Sequence, residues 1–193
     1  MHRIMKNFAM FMAIVGGVVL TALIVLVCVS VAGRSLNGLL HGPIEAIAPG
    51  LSAALLDLGV GPVNGDFELV EAGVAFAIFS FLPLCQITAS HASVDIFTKA
   101  LPRRVNLFLG MVIEIIFAIV LVVIAWRLFE GMQSKLRYGE TTFLLQFPIW
   151  WSYAASFAAS VGAAVVGVYM AGVRSVEFFT GRIIIVQTPE GEL

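Results

Sequence analysis

The sequence predicts an all-α membrane protein: four transmembrane helices, both termini cytoplasmic, and short amphipathic helical segments on the outer side between the first two spans. Three observations predict it. Of 193 residues, 60% are hydrophobic and only 12% are charged. A soluble domain carries about 25% charge, so too few ionic groups remain to cover a water-exposed surface. Four apolar runs, at about residues 8–32, 69–89, 105–127 and 148–172, are each long enough as a helix to cross the hydrocarbon core of a bilayer. Basic residues also collect at alternate ends of these runs. With the termini inside, Arg3, Lys6, Lys99, Arg103, Arg104, Arg174 and Arg182 lie on the inner side, and Arg34, Arg127, Lys135 and Arg137 on the outer side. Residues 1–193 are read as a single membrane domain.

The first run follows His2, Arg3 and Lys6. Ser30-Val31-Ala32 has the look of a signal cleavage site, but a signal core spans only about 7–15 residues, and the run is well beyond that. An uncleaved helix is therefore expected. Ala9, Ala13, Gly17 and Thr21 recur every four residues, a column that lets another helix approach closely. Residues 34–65 are punctuated by Gly42-Pro43, Pro49-Gly50 and Gly61-Pro62, while Ile44, Ile47, Leu51, Leu55 and Leu58 return at helical spacing. The segment over 42–62 is expected to form interfacial helices or an ordered covering loop.

The second run opens on Asp66-Phe67-Glu68, with Glu71 one turn on, and contains Pro83. Glu68 and Glu71 fall at the outer end, where a structural or docking role is expected. A polar break follows, carrying His91 and Asp95; these either cap a helix end or meet a partner. Arg103 and Arg104 open the third run and are expected to meet anionic headgroups. Glu114 lies inside that run, where an ionisable group normally faces protein or a water cavity. It is read as a hydrogen bond or ion pair to a neighbouring helix or partner, with a coupling site as the sharper alternative.

Residues Glu130 to Glu140 are expected to form a short outer loop. Trp150 and Trp151 then open the fourth run at the depth of an interfacial aromatic belt, or as a docking point. Ala155, Ala159, Ala163 and Gly167 recur every four residues beside Ser152, Ser156 and Ser160, with Phe157, Val161, Val165 and Val168 opposite. In lipid, helix association comes from close contact at small residues, so this column is a candidate partner interface.

Several chemistries are not signalled. There is no HExxH, CxxC, phosphate-binding loop or GxSxG sequence, and His2, His41 and His91 all fall outside the spans, where they cannot be axial haem ligands. Cys28 and Cys85 are placed most of a membrane apart, too far for a disulfide. No catalytic residue, cofactor or metal is expected. A net charge of −1 offers no field for nucleic acid. The residues suggest a packing or scaffold subunit.

Three segments carry a resemblance to a known family: Gly65-Asp66-Phe67-Glu68-Leu69-Val70-Glu71; His91-Ala92-Ser93-Val94-Asp95 followed by Leu101-Pro102-Arg103-Arg104; and Gly139-Glu140-Thr141-Thr142 through Phe147-Pro148-Ile149-Trp150-Trp151-Ser152-Tyr153. In order and spacing over about residues 8–173 the chain resembles the DctQ-like small membrane subunits of tripartite ATP-independent periplasmic (TRAP) transporters. The resemblance implies a bacterial inner-membrane scaffold that braces a large (DctM-like) membrane subunit, which imports organic acids with a sodium gradient, alongside a periplasmic (DctP-like) substrate-binding protein. It implies no enzymatic activity; membrane lipids are further partners expected from the spans and from Arg103 and Arg104. The alternatives are a small membrane redox or enzyme subunit, or the small subunit of a tripartite tricarboxylate transporter.

Overall fold

The computed structural model describes residues 2–88 and 102–181. Five helices are named here: α1 (His2–Leu39), α2 (Pro49–Asp57), α3 (Asp66–Ile87), α4 (Arg103–Tyr138) and α5 (Trp150–Thr180). Four of them, α1, α3, α4 and α5, are long and apolar enough to cross a membrane. The four pack in the spatial order α1, α3, α5, α4, and α1 also touches α5. Helix α5 therefore sits inside the row, between α3 and α4. Half of its apolar window is buried (50%), against 6% for α1, which lies at an end.

The core is built from small side chains. Ala9 of α1, Ile87 of α3 and Val166 and Met170 of α5 form one cluster; Leu121 of α4 with Ala163 and Ala164 of α5 forms the other. α1 approaches α3 closely. A Cβ placed on Gly16 would stand 2.7 Å from Ser80 Cβ and 3.3 Å from the Ala77 carbonyl oxygen. Of the column expected on α1, Ala9 and Ala13 are buried, Gly17 is half-buried and Thr21 is exposed. Gly16, one residue from the expected Gly17, makes the closest contact.

The helices are longer than the apolar runs, because polar residues do not end a helix unless the backbone is diverted. α1 runs past Ala32 to Leu39, and the chain then kinks at Gly42 (φ −122°, ψ −108°), just before Pro43. The outer loop expected from Glu130 to Glu140 is instead mostly helix. α4 continues to Tyr138, supported by an Arg127–Glu130 pair (2.7 Å) at i,i+3 spacing, and stops only where Gly139 takes a left-handed conformation. α5 likewise passes the expected end near residue 172 and stops at Gly181.

Pro83 is buried inside α3, which is assigned as one continuous helix around it. Both cysteines are free, with Cys28 exposed and Cys85 half-buried. The readings made for His91 and Asp95 lie outside the described residues, as does the side chain of Arg103.

Between α1 and α3 the chain folds back onto the end of α1. Ser52 Oγ donates to the Leu40 carbonyl (2.7 Å) and Asn37 Nδ2 to the Val60 carbonyl (3.1 Å). Ile47, Leu51 and Leu58 point outward, exposed at 85%, 57% and 80%. A short helix with an unburied apolar face is therefore present where interfacial helices were expected.

Candidate functional site

Many of the positions singled out in the sequence fall into polar constellations and one column of small residues. At one end of the row, α1 and α3 are tied by Asp66. Ser30 Oγ donates to Asp66 Oδ2 (2.5 Å) and also accepts the Val63 N–H (3.3 Å). Arg34 approaches the same carboxylate at 3.4 Å and lies 5.7 Å from the Phe67 ring centroid. Gly65 starts this arrangement with a left-handed φ of 77°, which lets the chain turn into α3. The Asp66 side chain then accepts its neighbour's N–H, from Phe67 (2.9 Å).

Glu68 reaches across to the loop between α4 and α5. Its two carboxylate oxygens accept the N–H groups of Leu144 (2.6 Å) and Leu145 (2.9 Å). The loop is otherwise held by Thr142 and Phe147 (N–H to carbonyl, 3.0 Å) and by Ile149 N–H to the Glu140 carbonyl (3.0 Å). Glu68 thus fixes an apolar tip at which Phe143 is 90% exposed. Replacing Glu68 with alanine is expected to leave both N–H groups to solvent. Hydrogen exchange at Leu144 and Leu145 should accelerate at least several-fold while α4 and α5 keep their protection; unchanged exchange would remove Glu68 from this role.

Glu114 is buried in α4 and lies 3.5 Å from the amide nitrogen of Gln86, itself fully buried in α3. The interhelix reading of Glu114 thus has a neighbour in the structure, although at this distance the hydrogen bond is weak. Gln86 Oε1 has no hydrogen-bond partner among the described residues. Further along α5, Arg174 pairs with the fully buried Glu177 at 2.7 Å. Neither Gln86 nor this pair was singled out from the sequence. Gln86 is the one amide in an otherwise apolar stretch of α3, and Arg174 and Glu177 have i,i+3 spacing, so both carried a readable signal.

The small column on α5 is covered from within the chain. Ala159 and Ala163 are buried, and a Cβ on Gly167 would stand 3.1 Å from Leu121 Cδ1 and 3.2 Å from the Gln86 amide. Gly162, in the adjoining column, faces Met12 and Phe8 of α1. Ala155 is exposed. Trp150 and Trp151 stand edge to face, ring centroids 6.1 Å apart, with Trp151 57% exposed. Arg104 is exposed at the start of α4. Among the described residues there is no group of three or more His, Cys, Asp or Glu side chains placed to hold a metal ion.

These features describe a helical membrane row whose polar groups hold its own helices and loops together. The profile of the family "Tripartite ATP-independent periplasmic transporters, DctQ component" matches residues 23–176. The chain belongs to the DctQ family. It is the small component of a TRAP transporter and a multi-pass membrane protein. The match runs from the middle of α1 almost to the end of α5, so it takes in the Asp66 and Glu68 constellations, Glu114 and the α5 column. No protein of curated function and no solved structure matches this DctQ chain.

Proposed function

We propose that this DctQ chain is a non-enzymatic scaffold of the bacterial inner membrane. In this reading both termini are cytoplasmic and the α2 segment rests on the periplasmic surface. The chain braces the large membrane subunit, which imports organic acids with a sodium gradient after delivery by a periplasmic binding protein. The Asp66, Glu68 and Glu114 contacts support a static role, since they join helix to helix or helix to loop.

One observation favours docking on the outward face of α4. Arg127 and Glu130 are 71% and 46% exposed, yet Phe129 packs at a tilt against Phe157 of α5 (ring centroids 5.4 Å apart) and Gly131 lies against Tyr153. Phe157 is about 10 Å along α5 from Trp150 at 1.5 Å per residue. With α5 upright, the ion pair therefore lies on the membrane side of the aromatic belt. An exposed ion pair at that depth is costly against lipid and is accommodated when protein covers it.

The test is co-purification from mild detergent with a tagged chain. The wild type should bring down the large subunit. A double Arg127→Ala, Glu130→Ala variant should recover it several-fold less well at equal abundance of the tagged chain. A wild type that recovers no large subunit would defeat the scaffold reading. Full recovery with the variant would move the docking face elsewhere.

A further inference from the structure

A cavity of about 320 Å³ opens between α3, α5 and the loop before α5. Its polar lining comes from Glu68, Glu71, Thr142, Ser152, Tyr153 and Ser156, and its apolar lining includes Leu128 of α4 and Phe147. Glu68 is already committed to the Leu144 and Leu145 N–H groups. Glu71 has no ion pair or hydrogen bond among the described residues and is exposed at the mouth.

The floor is less ordinary. Ser156 is only 3% exposed, and its hydroxyl has no hydrogen-bond partner among the described residues. Serine and threonine inside a helix commonly bond the carbonyl one turn back. Here Ser80, Thr88, Ser175 and Thr180 all do so, each to the carbonyl four residues earlier. Ser156 does not, and its hydroxyl is left for whatever fills the cavity. Ser152, one turn away on the same wall, is half-buried and likewise has no side-chain hydrogen bond among the described residues.

We propose that this cavity binds an organic ammonium group carried on an apolar body. Glu71 is the counter-ion, and the hydroxyls of Ser152 and Ser156 accept N–H bonds from the ammonium. Two carboxylates in the lining disfavour an anion. A single uncommitted carboxylate matches a single positive charge. Among the described residues no three His, Cys, Asp or Glu side chains are placed to hold a metal ion, and the volume lies in the range of small-molecule pockets rather than that of a bare ion. The ammonium has two sources: an aminophospholipid headgroup or a free alkylammonium. The proposal rests on the membrane placement of the chain and is independent of where the large subunit docks.

The experiment uses the purified full chain in detergent, with native mass spectrometry and thermal unfolding as readouts. The probes are phosphatidylethanolamine, phosphatidylcholine, hexylammonium and sodium chloride alone. Phosphatidylethanolamine or hexylammonium should bind and raise the unfolding midpoint. The first acting alone identifies the lipid source, and hexylammonium acting alone identifies the free amine. Glu71→Gln should weaken binding about tenfold or more, as expected for the loss of one charge-assisted contact. Ser156→Ala should weaken it several-fold, with the unliganded midpoint unchanged in both variants.

Phosphatidylcholine lacks N–H donors, so equal binding by it would overturn the role given to the hydroxyls. Binding by neither amine, binding unchanged in Glu71→Gln, or the same stabilisation by sodium chloride alone would overturn the site. A failed pull-down of the large subunit leaves all of these outcomes readable.

Discussion

Replacing Gly16 with leucine is expected to separate α1 from α3 and to lower the yield of folded protein. Even a methyl group at this position meets Ser80 Cβ at 2.7 Å, closer than real Cβ contacts come. Ser80 Cβ is tied directly to the α3 backbone, so no side-chain rotation relieves the clash; the two helices must move apart. Overpacking of a close contact costs about 1–3 kcal/mol, and leucine adds three more carbons to the same space. The loss reaches beyond one contact, because Ala9 and Ile87 meet further along the same helix pair. Gly16→Ala should lower the unfolding midpoint in detergent by less than Gly16→Leu, and adding Ser80→Gly to Gly16→Ala should restore much of it. A Gly16→Leu protein with wild-type melting would mean that α1 and α3 do not pack here.

Gly33→Ala is expected to detach the chain around residues 58–64 from α1. The obstacle is backbone: a Cβ at Gly33 would overlap the carbonyl of Gly61 and stand 2.8 Å from its carbon. The contact is flanked on one side by Asn37 bonded to the Val60 carbonyl and on the other by Ser30 accepting the Val63 N–H. Displacement of Gly61 strains both. The expected cost is about 1–3 kcal/mol, the range for overpacking, with the effect confined to the outer segment. Hydrogen exchange at Val63 and Asp66 should rise sharply, while the amides around Ala163 and Val166 keep their protection. Undisturbed exchange at Val63 would show that the segment does not rest on α1.

The four spans were legible because each needs about twenty apolar residues and the sequence has four such runs. Their ends were less so. The charged stretch from Glu130 to Glu140 reads as a loop if charge is taken to mean water. Yet charge spaced three residues apart supports a helix, and only the left-handed Gly139 stops it. The α5 column was legible as a surface built for close approach. Periodicity of small residues does not say which helix approaches, and here Leu121, Gln86 and α1 do so from the same chain.

The polar site residues divide in the same way. Asp66 and Glu68 stood out as acids at a span end, but their partners, Ser30 and the Leu144 and Leu145 amides, are 36 or more residues away in sequence. Such pairings depend on how helices come together in space. The cavity hydroxyls were visible as a serine column, but the missing back-bond that distinguishes Ser156 from Ser80 belongs to geometry alone.

Uptake in proteoliposomes tests the scaffold role most directly. Vesicles would hold this chain alone, the large subunit alone, or both, with the periplasmic binding protein, its bound organic acid and an inward sodium gradient outside. Uptake that needs both membrane subunits, with none from this chain alone, is the expected result. Transport by this chain alone, or full transport by the large subunit without it, would contradict it.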